Sequence, residues 1–314
     1  MKARFGLVTL MLCVVSAGAF AQATQPGYDS FLSVVRAQVS KLGIGKIEDH
    51  MAEGYFIVLK DNPYADKNAQ IGLSNLYDIC KQEAPERWPA IIQGFFAQLK
   101  KKKEEQARIR PLLEKFETAD KVLKVRVYPA EQLRVFQKSS IVDDTQPGYL
   151  GVVVVDYPSG IANLDASYPA RWHMKAQDVF SQALKNTVGE NKETFEEYDF
   201  RDGLKVSLLS SDTNPYVTTS IYDLANTGIP VGEYGTLVGI PNRMTIVAMA
   251  LPRKELVRSM IMELMGLVSY MYAQGPGSIS DNMYWYNEGS LSLIQKDRTT
   301  GAITLPQKLA DSIK

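Results

Sequence analysis

Residues 149–165 read YLGVVVVDYPSGIANLD, and this stretch decides the fold class. From Leu150 to Val155 no side chain is polar. A β-branched run without polar alternation is the pattern of a strand covered on both faces. Tyr157-Pro158-Ser159-Gly160 carries turn residues, and Ile161–Asp165 reads as the returning strand. Pro169 then precedes a helical pattern from Ala170 to Thr187. Strands at Phe195–Phe200 and Leu204–Leu209 follow, turning at Asp202-Gly203.

The same order recurs downstream. Strands at Tyr234–Ile240 and Met244–Ala250 turn at Pro241-Asn242-Arg243. Pro252 opens a helix to Ala273, and strands Met283–Tyr286 and Ser290–Ile294 turn at Asn287-Glu288-Gly289. The N-terminal part adds a helix, Tyr28–Leu42, closed by Gly43, and strands Ile44–His50 and Tyr55–Lys60 around Glu53-Gly54. Helices at Leu73–Lys81 and Trp88–Ala107 complete it. The expected fold is α+β, built of repeated αββ and ββαββ units with mainly antiparallel sheets covered by helices. The expected segments are residues 22–120, a repeated region at 121–296 and a C-terminal tail at 297–314.

Residues 1–21 read as a secretory signal peptide. Lys2 and Arg4 precede the apolar run from Phe5 to Ala17, and Ala19-Phe20-Ala21 fits the cleavage pattern. A cut after Ala21 or Ala23 sends the chain to the periplasm or the exterior. The 35 basic and 35 acidic residues balance, and loss of Lys2 and Arg4 leaves a net charge of about −2. A near-neutral chain has no electrostatic footprint for nucleic acid. The signal also removes Cys13, leaving Cys80 in a helical pattern as a small buried hydrophobe. No apolar run after the signal is long enough to span a bilayer.

Chemistry-bearing patterns are sparse. His50 and His173 are the two histidines, and neither has a metal-ligand spacing. There is no G-x-S-x-G, no P-loop and no G-x-G-x-x-G, so no cofactor is implied. Asp143-Asp144 and Glu196-Glu197 are the paired carboxylates that acid–base chemistry would draw on.

Several stretches carry a family resemblance: Val125-Arg126-Val127-Tyr128-Pro129, Ala183-Leu184-Lys185-Asn186, Asn214-Pro215-Tyr216 with Ser220, and Val238-Gly239-Ile240-Pro241-Asn242-Arg243. Through them the chain resembles the YtpQ-like bacterial domains of unknown function, here in an exported form. Met244 stands where an acidic residue is expected in that pattern. The family has no established activity, so the resemblance implies a fold and no reaction.

The expected function is a non-enzymatic binding or chaperone-like module of the cell envelope, taking a protein or peptide partner. A hydrolase using carboxylates with or without His173 or His50, and a dimeric envelope scaffold, are the alternatives. Four interaction candidates stand out. Asn242 and Arg243 sit at a tight turn, where an arginine can meet a partner's carboxylate. Tyr284 and Tyr286 share one face of a strand, where they could stack on a ligand.

Overall fold

The computed structural model describes residues 27–51, 56–60, 70–158, 160–274, 277–297 and 299–314. The signal peptide, the Glu53-Gly54 turn and Ser159 lie outside them. The chain divides into two compact units between Lys103 and Glu104.

The first unit holds α1 (Tyr28–Leu42), β1 (Lys46–Met51), β2 (Phe56–Lys60), β3 (Gln70–Gly72), α2 (Ser74–Cys80) and most of α3 (Trp88–Ile109). Gly43 ends α1 at φ 63°, a left-handed conformation that costs a residue without Cβ little. The strands form an antiparallel sheet in the order β1-β2-β3. Its core gathers Phe31, Val35, Val39, Leu76, Trp88, Ile92 and Phe96. Cys80 belongs to that core, and burial raises its thiol pKa. The indole of Trp88 donates to the carbonyl of Cys80 at 2.6 Å, fixing the turn between α2 and α3.

The second unit holds α4 (Phe116–Ala119), β4 (Leu123–Pro129), α5 (Leu133–Phe136), β5 (Val142–Asp143), β6 (Tyr149–Tyr157), β7 (Gly160–Asn163), α6 (Tyr168–Arg171) and α7 (Ala176–Glu190). It continues with β8 (Glu196–Asp199), β9 (Lys205–Ser210), β10 (Thr236–Asn242), β11 (Thr245–Ala250), α8 (Val257–Gln274), β12 (Met283–Asn287), β13 (Ser290–Lys296), β14 (Ile303–Thr304) and α9 (Gln307–Ser312). The α+β class with antiparallel sheets is therefore as expected. β6 is the apolar run, with β4 on one side and β5 and β7 on the other. The larger sheet has seven strands in the order β14-β13-β12-β10-β11-β9-β8.

The pairing does not reproduce a repeat. β8 and β9 join β11 in the larger sheet instead of flanking β6, whose neighbour is the earlier strand β4. The helix expected over Ala170–Thr187 is two helices. The N–H of Met174 bonds back to the carbonyl of Pro169, and His173 sits left-handed at φ 56°. That geometry closes a helix. Pro241 lies inside β10, and the turn comes two residues later at Arg243-Met244. Residues set apart as a tail extend the sheet through β14 and place Leu309 in the core.

Both faces of the larger sheet are covered. Leu237, Val247, Met249, Met283 and Trp285 pack under α8. Val238, Ile240, Ile246, Tyr284 and Tyr286 pack with Val217, Ile221 and Leu224 from the 3-10 segment Val217–Asn226, and with Val127 and Tyr149. The outer edge of β4 is closed by hydroxyls. The Val125 N–H donates to Thr187 Oγ1 at 2.8 Å, and the Val125 carbonyl accepts from Thr219 Oγ1 at 2.9 Å. β8, at one end of the larger sheet, is exposed along its whole length and carries Glu196, Glu197 and Asp199.

Candidate functional site

The alternation of β4 sets up the site. Leu123 and Val125 point into the core beneath α7, so Lys124, Arg126 and Tyr128 fall on the opposite face. Tyr128 is buried against Phe136, with ring centroids 4.8 Å apart. The guanidinium of Arg126 lies 5.6 Å from the centre of the Tyr128 ring.

The turn between β10 and β11 delivers the second arginine to the same ring, at 5.4 Å. Asn242 shapes that turn by accepting from the Met244 N–H at 3.0 Å. The Arg243 backbone is held on both sides: its N–H donates to the Gly277 carbonyl, and its carbonyl accepts from Thr218. Gly277 sits at φ 72°, and a Cβ there would come within 2.9 Å of Arg243 Cδ. The close approach of that glycine lets the arginine stem lie along the backbone.

The two cations share one aromatic ring, and among the described residues neither forms an ion pair. Nε of Arg126 and Nε of Arg243 are both buried without a hydrogen-bond partner. Burial, followed by the like charge of Arg126, lowers the pKa of Arg243, and Tyr128 only partly offsets this. Each cation–π contact contributes about 0.5–2 kcal/mol, less than a charge-assisted pair with a carboxylate would. A guanidinium fork is suited to the oxygens of a planar or tetrahedral oxyanion.

Tyr216 continues the site. Its hydroxyl is 2.7 Å from Asp156 Oδ1, and burial, then that hydrogen bond, push its pKa up. The positive charge of Arg126 acts at the same hydroxyl. Beyond Tyr216 opens a cleft of about 290 Å³ lined by Lys124, Glu190, Asn191, Lys192, Glu193 and Asn214, with Thr187 and Tyr216. The Asn214 amide donates to Asn191 at 2.9 Å and to Glu193 at 3.0 Å. Burial alone would raise the Glu193 pKa. Donation from backbone amides, Asn214 and Ser211 outweighs it and holds the carboxyl below its ordinary range. Lys124 is buried and pairs with Glu190.

Of the four sequence candidates, Arg243 reaches this site and Asn242 supports it from the turn. Tyr284 and Tyr286 are corrected to core: they are 1% and 8% exposed and pack among the apolar residues between the sheets. Tyr284 donates to the Pro147 carbonyl at 2.8 Å, which satisfies its polar end. Asp143 and Asp144 part company. Asp143 is buried and accepts from Tyr222 and Thr145, whereas Asp144 is exposed. His173 is exposed at the end of α6, and His50 lies in β1 of the other unit. Among the described residues no group of three His, Cys, Asp or Glu side chains could hold a metal ion. No described helix is long and apolar enough to cross a membrane. Arg126 and Tyr128 were not among the sequence candidates, because a strand reading VRVY shows alternation and nothing about what faces it. Comparison with family models, curated proteins and solved structures finds no match for this chain.

Proposed function

We propose that the protein is a non-enzymatic binding module of the cell envelope that captures an oxyanion of its ligand between Arg126 and Arg243. The observation that carries this reading is the pair of buried, unpartnered guanidinium nitrogens around Tyr128. Both arginines are partly exposed, but a buried Nε–H that finds no acceptor costs free energy, and a fold that keeps two of them around one ring is arranged for something that arrives later. The envelope location rests on the N-terminal sequence alone. The intact mass of protein recovered from the exporting cell should correspond to a chain beginning at Gln22 or Thr24, and a chain beginning at Met1 would refute export.

Inorganic phosphate is the simplest probe of the site. Added to the full chain at matched ionic strength against chloride, it should raise the melting midpoint, because a ligand of the folded state stabilises it by mass action. In the double variant Arg126→Gln, Arg243→Gln the shift should vanish. Equal shifts in both proteins would refute the site.

A further inference from the structure

The cleft beyond Tyr216 says what kind of molecule bears the oxyanion, and this inference rests on the arginine reading above. Lys124 lines the cleft and sits two residues before Arg126 on the same face of β4, so the backbones of these two residues are about 7 Å apart along the strand. Tyr216 lines the cleft, and the positive charge of Arg126 acts at its hydroxyl. No aliphatic residue larger than threonine lines the cleft. The lining has one aromatic face, that of Tyr216, and no aliphatic pocket into which a branched apolar side chain could insert. What it offers is two ammonium groups as donors, two carboxylates and the remaining lone pairs of two amide oxygens as acceptors, and one aromatic ring; the amide N–H groups of Asn191 and Asn214 are already engaged within the protein. Hydroxyl groups, which donate and accept at once, match such a mixture. The groups are held in place before any ligand binds, through the bonds among Asn214, Asn191 and Glu193 and from Asn191 to Ser220 and the Tyr216 carbonyl. The lining charges balance, two acidic against two basic, so the body of the ligand in the cleft is neutral.

We infer that the ligand is an acidic saccharide, with its carboxylate or phosphate on Arg126 and Arg243 and its hydroxyls in the cleft lined by Asn191, Glu193 and Asn214. The size of the cleft is at the lower end for small-molecule sites, which fits one sugar ring.

Titration calorimetry on the full chain tests this with glucuronate, glucose 6-phosphate, glucose, acetate, inorganic phosphate and an acetylated acidic dipeptide. The charged sugars should bind about tenfold or more tightly than the matching bare anion, and the tighter of the two identifies the oxyanion. Asn214→Ala and Glu193→Gln should each erase that gain and leave phosphate binding in place, with melting midpoints confirming that both variants fold. If charged sugars bind no better than phosphate or acetate, the saccharide inference falls and the arginine site stands. If the dipeptide gains as much as the sugars, the ligand class is wrong. If no anion binds, both readings fall.

Discussion

Replacing Arg243 with methionine is expected to raise the melting midpoint of the ligand-free protein while abolishing its response to phosphate. Methionine keeps an unbranched stem that can lie against Gly277 and fill the same space. What it removes is a cation that burial and Arg126 both disfavour. An arginine whose folded-state pKa is lowered makes an unfavourable contribution at every pH at which it is charged in the unfolded chain, and in practice that means all of them. The lost cation–π contact with Tyr128 works in the opposite direction and limits the gain. The expected gain is about 1 kcal/mol, or roughly 2–4 °C for a chain of this size. Arg126→Met removes one of the two causes that disfavour the Arg243 cation, so its effect and that of Arg243→Met should not add. A methionine variant that melts several degrees lower would make Arg243 a structural residue and end the functional reading.

The largest loss of stability is expected at Gly232. A Cβ there would lie 2.3–2.5 Å from the N, C and O atoms of Leu251. Those atoms cannot rotate away, because the Leu251 N–H is bonded to the Gly235 carbonyl and its carbonyl accepts from Tyr234. Gly232→Ala should therefore push the end of β11 off its neighbours at a cost of about 3 kcal/mol. The same substitution at Gly266 is the control. That glycine lies on the outer side of α8 with open space around its Cα. Alanine there should stabilise by up to about 1 kcal/mol through helix propensity. Denaturant unfolding of the two variants would check both values. Equal destabilisation at the two positions would mean that contact with Leu251 is not what restricts Gly232.

Local signals in the sequence were reliable where one residue decides the geometry. Gly43 stops α1, and Glu288-Gly289, both at positive φ, make the two-residue turn between β12 and β13. The break after α6 escaped because it places a histidine where glycine is usual. Alternation correctly put Tyr284 and Tyr286 on one face of a strand. It could not show that β12 lies in a sheet covered on both sides, so that neither face is free. The site divides in the same way. Arg243 was legible as an arginine at a tight turn. Its meeting with Arg126 and Tyr128 joins positions more than a hundred residues apart, and only the packing of the two sheets brings them together. Val125–Pro129 and Pro241–Arg243 supply the residues that meet at the Tyr128 ring, with Tyr216 nearby.

The exposed strand β8 has a consequence for crowding. A strand at the end of a sheet offers unpaired backbone groups to any copy that drifts past. Here an approaching copy would bring Glu196, Glu197 and Asp199 against the same three carboxylates, with Lys205 already engaged by its own Glu197 and Asp199. Two molecules meeting by this edge repel before their backbones can touch. This edge of the seven-stranded sheet is therefore guarded against pairing with its own copy in another molecule.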